Sequence, residues 1–117
     1  MELPVFDVPD AMKRVQDDRE LLTELVAIVL QDYPKQLDDI HEALDQNRAP
    51  QVERLAHSLK SAMASVSAKR GAEAARRVEV LAHAADLQAA AEALGHLQEE
   101  LTILQQAMQQ FLQTLPT

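Results

Sequence analysis

The sequence predicts an all-α protein: an antiparallel up-down four-helix bundle with a short extra helix at its N-terminus. Three observations lead there. Apolar residues recur at three- and four-residue steps along most of the chain, the spacing of one helix face. The chain holds only 2 Gly and 3% aromatic residues, whereas a β-sandwich or barrel needs many turn residues and aromatic strand positions. Its 117 residues, 47% hydrophobic and 26% charged, suit one ordinary domain with enough apolar side chains for a real core. A single domain over residues 1–117 is therefore expected, with no repeat and no low-complexity tract.

Residues 1–9 carry Pro4 and Pro9 and read as an extended lead-in. Asp10 is placed to cap a short helix running to about Val15, and Asp17 or Asp18 to cap a long helix from near Arg19. The long helix has the core stripe Leu22, Leu25, Val26, Val29, Tyr33, Leu37, Ile40 and Leu44. Pro34 removes one ladder donor, so one kinked helix to Asp45 is expected. Residues 46–50 form the turn, and Pro50 suits a first helical turn. The helix that follows carries Val52, Leu55, Leu59, Met63 and Val66 on one face and weakens at Ser65 and Ser67. A further helix spans about Lys69 to Ala84, with Ala75, Val78, Leu81, Ala82 and Ala85 inward. Asp86 caps the last helix, which carries Leu87, Leu94, Leu97, Leu101, Leu104, Met108, Phe111 and Leu115. From Leu94 the steps alternate three and four, a heptad seam. The seam reads as the core stripe of the bundle, with a homodimeric coiled coil through 94–115 as the alternative.

Composition excludes several functions. Cysteine is absent, which removes disulfides, thiolate metal sites and a Cys nucleophile. No Gly-rich phosphate loop is present, which argues against nucleotide hydrolysis. A net charge of −8 opposes binding to a nucleic-acid backbone. No apolar run reaches the length of a membrane span, and the acidic start MELPVFDVPD lacks a signal-peptide plan. A cytoplasmic protein is expected. Charge is unevenly spread: residues 1–49 are net −7, residues 50–84 net +3 and residues 85–117 net −4. The basic middle segment is either a solvated helix face or a docking surface for an acidic partner.

One histidine lies on an unexpected face. On a helical wheel His57 falls roughly 170° from the centre of the Val52–Leu55–Leu59–Met63–Val66 arc, so it should be exposed in mid-helix. Lys60 and Ser61 follow at i+3 and i+4, within reach of the imidazole, and Ala64 continues the line at i+7. A neutral imidazole nitrogen is a good nucleophile toward a phosphoryl group. An ammonium at i+3 can hold the phosphoryl oxygens, and small residues beyond leave room for another protein's active site. The plain alternative is a surface histidine with no task.

On these residues the sequence resembles the histidine-containing phosphotransfer (HPt) domains of bacterial phosphorelays. The family core reads His-x-Leu-Lys-Gly, then small residues, an apolar residue and Gly; Ala56-His57-Ser58-Leu59-Lys60 matches, and Ser61 to Ala68 keeps the small and apolar character. Asp18-Arg19-Glu20-Leu21-Leu22 is similar to the family's start, and Ala74 to Glu79 to its following helix. The resemblance spans roughly residues 8–112. The usual glycines stand here as Ser61 and Ser67, and the usual Asn as Ser65. The resemblance implies that His57 accepts the phosphoryl group, Lys60 stabilises it and Ser61 gives access. It implies a receiver domain or hybrid sensor kinase as partner, with the Mg²⁺ in that receiver, and a phosphoryl carrier without autonomous kinase activity. It implies a monomer that itself needs no cofactor or metal. Docking residues on the faces beside His57 are expected among Glu53, Arg54, Ala64, Met12, Leu21 and Ile28. The segment Val8–Val15 covers Leu21 and Ile28 on the competing reading.

Other candidates carry less. His41, His83 and His96 read as ordinary surface residues, and His41-Glu42 lacks the second His of a zinc-protease helix. Glu92 and His96 at i, i+4 read as a salt bridge, and Asp38, Asp39 and Glu42 as a solvated acidic face. No Asp or Glu is clearly placed to orient the His57 imidazole, Glu53 at i−4 being the only local candidate, so a Ser-His hydrolase is a poor reading. The competing function is a helical-bundle adaptor without phosphoryl chemistry. The start at Met1 and the end at Pro116-Thr117 are those expected of a free-standing protein.

Overall fold

Aspartate side chains start three of the five helices in the computed structural model, which describes residues 2–114. Expectations resting on Met1, Leu115, Pro116 and Thr117 lie outside the described residues. Asp7 accepts the backbone N–H of Asp10 and opens α1 (Val8–Arg14), with Pro9 in its first turn. The short helix thus begins before Asp10, and the lead-in is shorter than expected, because Pro9 needs no ladder donor there. Asp18 accepts from Leu21 and opens α2 (Arg19–Asp45), which runs unbroken through Pro34. Helix α3 (Ala49–Ser65) has no side-chain cap and relies on Pro50 in its first turn. Helix α4 (Lys69–His83) is also uncapped, and Asp86 opens α5 (Leu87–Gln113) by accepting from Ala89. No strand occurs among the described residues.

Each turn between helices closes in the same way. A backbone N–H reaches back five residues, as Asp17 to Met12, Arg48 to Ala43, Ala68 to Met63 and Asp86 to Leu81. Such a closure needs a left-handed residue just past the helix. Gln16, Asn47, Ser67 and Ala85 fill that place, with φ of 54°, 56°, 57° and 60°. Ala85 is therefore an exposed turn residue and not an inward residue of α4, which stops at His83. The turns are short, so α2, α3, α4 and α5 run alternately up and down, with α1 lying against α2.

The core forms from the stripes the sequence marks. Leu22, Val26, Val29, Leu37 and Ile40 of α2 meet Val52, Leu59, Met63 and Val66, then Ala75, Val78 and Ala82. Leu25, Tyr33, Leu44, Leu55 and Leu87 are half-buried against this core, Ala56 joins it fully, and Ala90 is buried beside it. Leu94, Leu97, Leu101, Leu104, Met108 and Phe111 are buried within the same chain. The seam is spent on the chain's own core, which leaves it unavailable to the coiled-coil dimer considered above. Charge also enters the core: Glu100 is buried and accepts from Arg70 at 2.7 Å, tying α5 to α4. Among the described residues no helix is long and apolar enough to cross a membrane.

Candidate functional site

Helix α3 presents its outer face to solvent between α2 and α4. The buried arc Val52, Ala56, Leu59 and Met63 fixes its rotation, which turns His57 outward with 59% of its side chain exposed. Across the α3–α4 turn lies Glu79, whose side chain is only 17% exposed. Its Oε2 stands 2.5 Å from His57 Nδ1, and its Oε1 accepts from Lys60 Nζ at 2.7 Å. One carboxylate thus holds both expected site residues. The Lys60 ammonium, and more weakly the His57 bond, holds the Glu79 carboxyl below its usual range against the opposing effect of burial.

This geometry settles which imidazole nitrogen is free. An ionised carboxylate can only accept, so His57 Nδ1 carries the proton and donates it. In the neutral ring Nε2 then holds the lone pair, at the exposed tip of the side chain. Rotation about the ring is fixed by the same bond. The arrangement presents a nucleophilic nitrogen outward, with a carboxylate behind it to balance positive charge developing on the ring.

The surroundings are small and basic. Ser61 is exposed and Ala64 half-buried. They line a groove with Lys60, Arg14, Lys69, Arg76 and Leu3. A second concavity beside it is lined by His57, Ser58, Glu79, Pro50, Glu53 and Arg54. Ser67 departs from the expected clearing: it is buried, and its hydroxyl donates to Asp10 at 2.6 Å. Its backbone carbonyl accepts from Asp7, and Lys69 pairs with Asp7 at 3.0 Å, so α1 is latched to the α3–α4 turn.

Glu53 does not orient His57. It points instead to His83, whose Nδ1 lies 2.9 Å away. The carboxylate that the sequence reading missed is Glu79, and the signal for it was register. Helices joined by a tight turn at Ser67 bring residues ten or so before it level with residues ten or so after it, and so His57 level with Glu79. The expected Glu92–His96 pair does not form; His96 stands 3.8 Å from Glu100, whose carboxylate also accepts from Arg70. His41, His83 and His96 are exposed, as expected, and so are Asp38 and Glu42. Leu21 and Ile28 are 41% and 52% exposed on one strip of α2, so Val8–Val15 do not cover them. Met12 is half-buried and packs on the core. Among the described residues no cluster of three or more His, Asp and Glu could hold a metal ion.

Comparison with known proteins bears on the same residues. The family model described as Hpt domain matches residues 24–107, well over half of the chain. Among solved structures, the chain is similar to the histidine-containing phosphotransfer protein B of Pseudomonas aeruginosa PAO1. That pair has a TM-score of 0.89 at 21% identity, covering 98% of this chain and 100% of that one. It is also similar to the HPT domain of the Hpt sensor hybrid histidine kinase from Shewanella, with a TM-score of 0.83 at 18% identity, covering 97% of each chain. These two likenesses concern the fold. No curated protein sequence matches the chain.

Proposed function

The chain belongs to the Hpt domain family and is a histidine phosphotransfer protein of two-component phosphorelays; we propose that His57 is the residue that carries the phosphoryl group. The observation that carries this reading is the Glu79 carboxylate, which holds Nδ1 of an exposed imidazole and leaves Nε2 free. His41, exposed on α2, is given no such carboxylate among the hydrogen bonds of the described residues.

The chemistry follows from that proton. The Nε2 lone pair attacks the phosphorus of an aspartyl phosphate on a receiver domain. The N–P bond forms as the P–O bond to the aspartate breaks, and the electron pair leaves with the carboxylate. No proton leaves Nε2, because the ring proton already sits on Nδ1. The ring gains positive character and Glu79 offsets it. The reverse path returns the group to an aspartate. Lys60 faces the incoming oxygens from the α4 side, and Ser61 leaves room for the receiver.

The receiver or hybrid kinase supplies the Mg²⁺ and the groups that activate the acyl phosphate; this chain needs no cofactor of its own and has no autonomous kinase activity. Docking uses the exposed strip Leu21–Ile28 with Met12 on one side of α3, and Glu53, Arg54 and Ala64 on α3 itself. The basic stretch 50–84 suits the acidic pocket of a receiver. The chain acts as a monomer, in the cytoplasm where such partners work. An adaptor role without phosphoryl chemistry gives no reason for a lysine and a histidine to share one carboxylate.

The test is transfer from a phosphorylated receiver domain to the wild-type protein and to His57→Gln. A label stable in base, labile in acid and absent from the variant is expected. Equal labelling of the variant, or none of the folded wild type across a panel of receivers, would remove the reading.

A further inference from the structure

The phosphoryl group brings up to two negative charges to His57. The charges already there nearly cancel: the Lys60 ammonium is bound by Glu79 at 2.7 Å, and that same carboxylate takes His57. Lys60 is therefore occupied from the α4 side before any phosphoryl group arrives. A dianion on Nε2 needs a cation from the other flank.

Arg54 stands there. It lies three residues before His57, on the same helix face at about 5–6 Å between Cβ atoms. It lines the same concavity as His57, Ser58 and Glu79. Helical side chains lean toward the N-terminus, so the imidazole tilts toward the turn that carries Arg54. Lys60 and Arg54 fall on opposite sides of His57 by roughly 60° each on the wheel. The nearby acid Glu53 is engaged with His83 on α4, and Arg54 makes no ion pair among the described residues. Its guanidinium is exposed, and its fork of donors matches phosphoryl oxygens.

Resting on the reading of His57 as the carrier, we propose that Arg54 is a second phosphoryl-binding cation of this site, closing on the oxygens from the flank opposite Lys60. It is then part of the chemistry of the phosphorylated protein and not only a docking residue for the receiver. The distinction is testable because a small donor has no docking surface.

The full chain is incubated with phosphoramidate, a small phosphoryl donor, as wild type, Arg54→Ala, Arg54→Lys and His57→Gln. The ³¹P signal that His57→Gln lacks is the one followed, which sets aside label on His41, His83 or His96. Arg54→Ala is expected to lower the phosphorylated fraction at a fixed, limiting donor concentration by about threefold to tenfold. It also moves the second ionisation of the phosphoryl group, read from the ³¹P shift against pH, to higher pH, because the dianion loses a partner. Arg54→Lys restores part of both, as a point charge without the fork. An Arg54→Ala protein with wild-type fraction and wild-type titration overturns the proposal and leaves Arg54 to docking. A wild-type protein whose label matches that of His57→Gln overturns the carrier reading itself, which is a separate failure.

Discussion

Glu79 does two jobs at residue scale, and separating them gives a prediction. It fixes the Nδ1–H tautomer of His57, and it holds Lys60. Glu79→Gln keeps the size but offers Nδ1 a weaker acceptor and removes the charge behind the ring. Phosphotransfer to His57 is expected to slow roughly tenfold to a hundredfold, the cost of losing the carboxylate behind a metal-bound histidine, taken here as the guide. Rapid-quench transfer from a phosphorylated receiver measures it, and a rate within a factor of two of wild type would strip Glu79 of this role. Lys60→Ala should act differently: Glu79 stays with His57, so the tautomer survives, and any loss of transfer reports the hold on the oxygens proposed for Lys60. The sequence carried His57 and Lys60 legibly, because face and spacing follow from one helix. It hid Glu79 because that contact crosses between helices, and a wheel drawn for α3 alone cannot contain a residue of α4. Glu53 looked equivalent at i−4, yet its partner is His83, also across the groove.

At the scale of elements, the turns are where this chain departs from the cheapest design. Its two glycines, Gly71 and Gly95, both sit inside helices, while Gln16, Asp17, Asn47, Ser67 and Ala85 hold the left-handed places. Gly71 has a reason: a Cβ there would meet Met63 Sδ at 3.3 Å and Leu101 Cδ2 at 3.4 Å, so α4 lies close upon α3 and α5. Gly95 has none, since a Cβ meets nothing within 4 Å. Gly95→Ala is therefore expected to stabilise the protein by about 0.5–1 kcal/mol, the helix-interior difference between the two residues. Ala85→Gly should stabilise by about as much, by relieving a left-handed alanine that costs about 1–2 kcal/mol, less the entropy glycine adds to the unfolded chain. Thermal unfolding of the two variants and their combination checks both, and additivity is expected because the sites share no partner. A fall in the midpoint for either would mean the local account is wrong. The helices themselves were legible from periodicity to within a residue or two, except α1, whose cap is Asp7 and not Asp10. Their turns were not, because nothing in Ala84-Ala85-Asp86 announces a left-handed alanine; the closure of α4 onto the start of α5 imposes it.

On the scale of the whole molecule, ion pairs among the described residues tie α4 to α1, α3 and α5. Lys69 joins α4 to Asp7 at the foot of α1, Glu79 joins α4 to α3, and Arg70 joins α4 to Glu100 of α5. Helix α4 is thus the hub, and it carries the basic side chains Lys69, Arg70, Arg76 and Arg77. Asp7, Asp10 and Glu79 are all held below their ordinary carboxyl values, chiefly by hydrogen bonds from the Asp10 backbone, Ser67 and Lys60 respectively. The sign of the linkage follows. A carboxyl with a lowered folded value binds fewer protons folded than unfolded over the interval between the two values, so stability rises with pH there. These contributions are complete above the ordinary values of 3.8 for the aspartates and 4.5 for Glu79, and are lost as pH falls through the lower folded values. The expected outcome is an unfolding midpoint that drops steeply below about pH 4.5 and is shallower for Glu79→Gln, which has no such proton to take up. The net charge of −8 at pH 7 works in the other direction above the isoelectric point near 4.8, where self-repulsion grows with pH. Salt separates the two effects: it raises the midpoint at pH 7 by screening that repulsion, and it weakens the half-buried Lys69–Asp7 link less. An unfolding midpoint that stays level from the isoelectric point near 4.8 down to pH 3 would show that the pairs on α4 carry little of the stability. In that case the latch of α1 onto the α3–α4 turn would rest on the backbone bonds from Asp7 to Ser67 and from Arg70 to Pro4, whose strength does not change with pH.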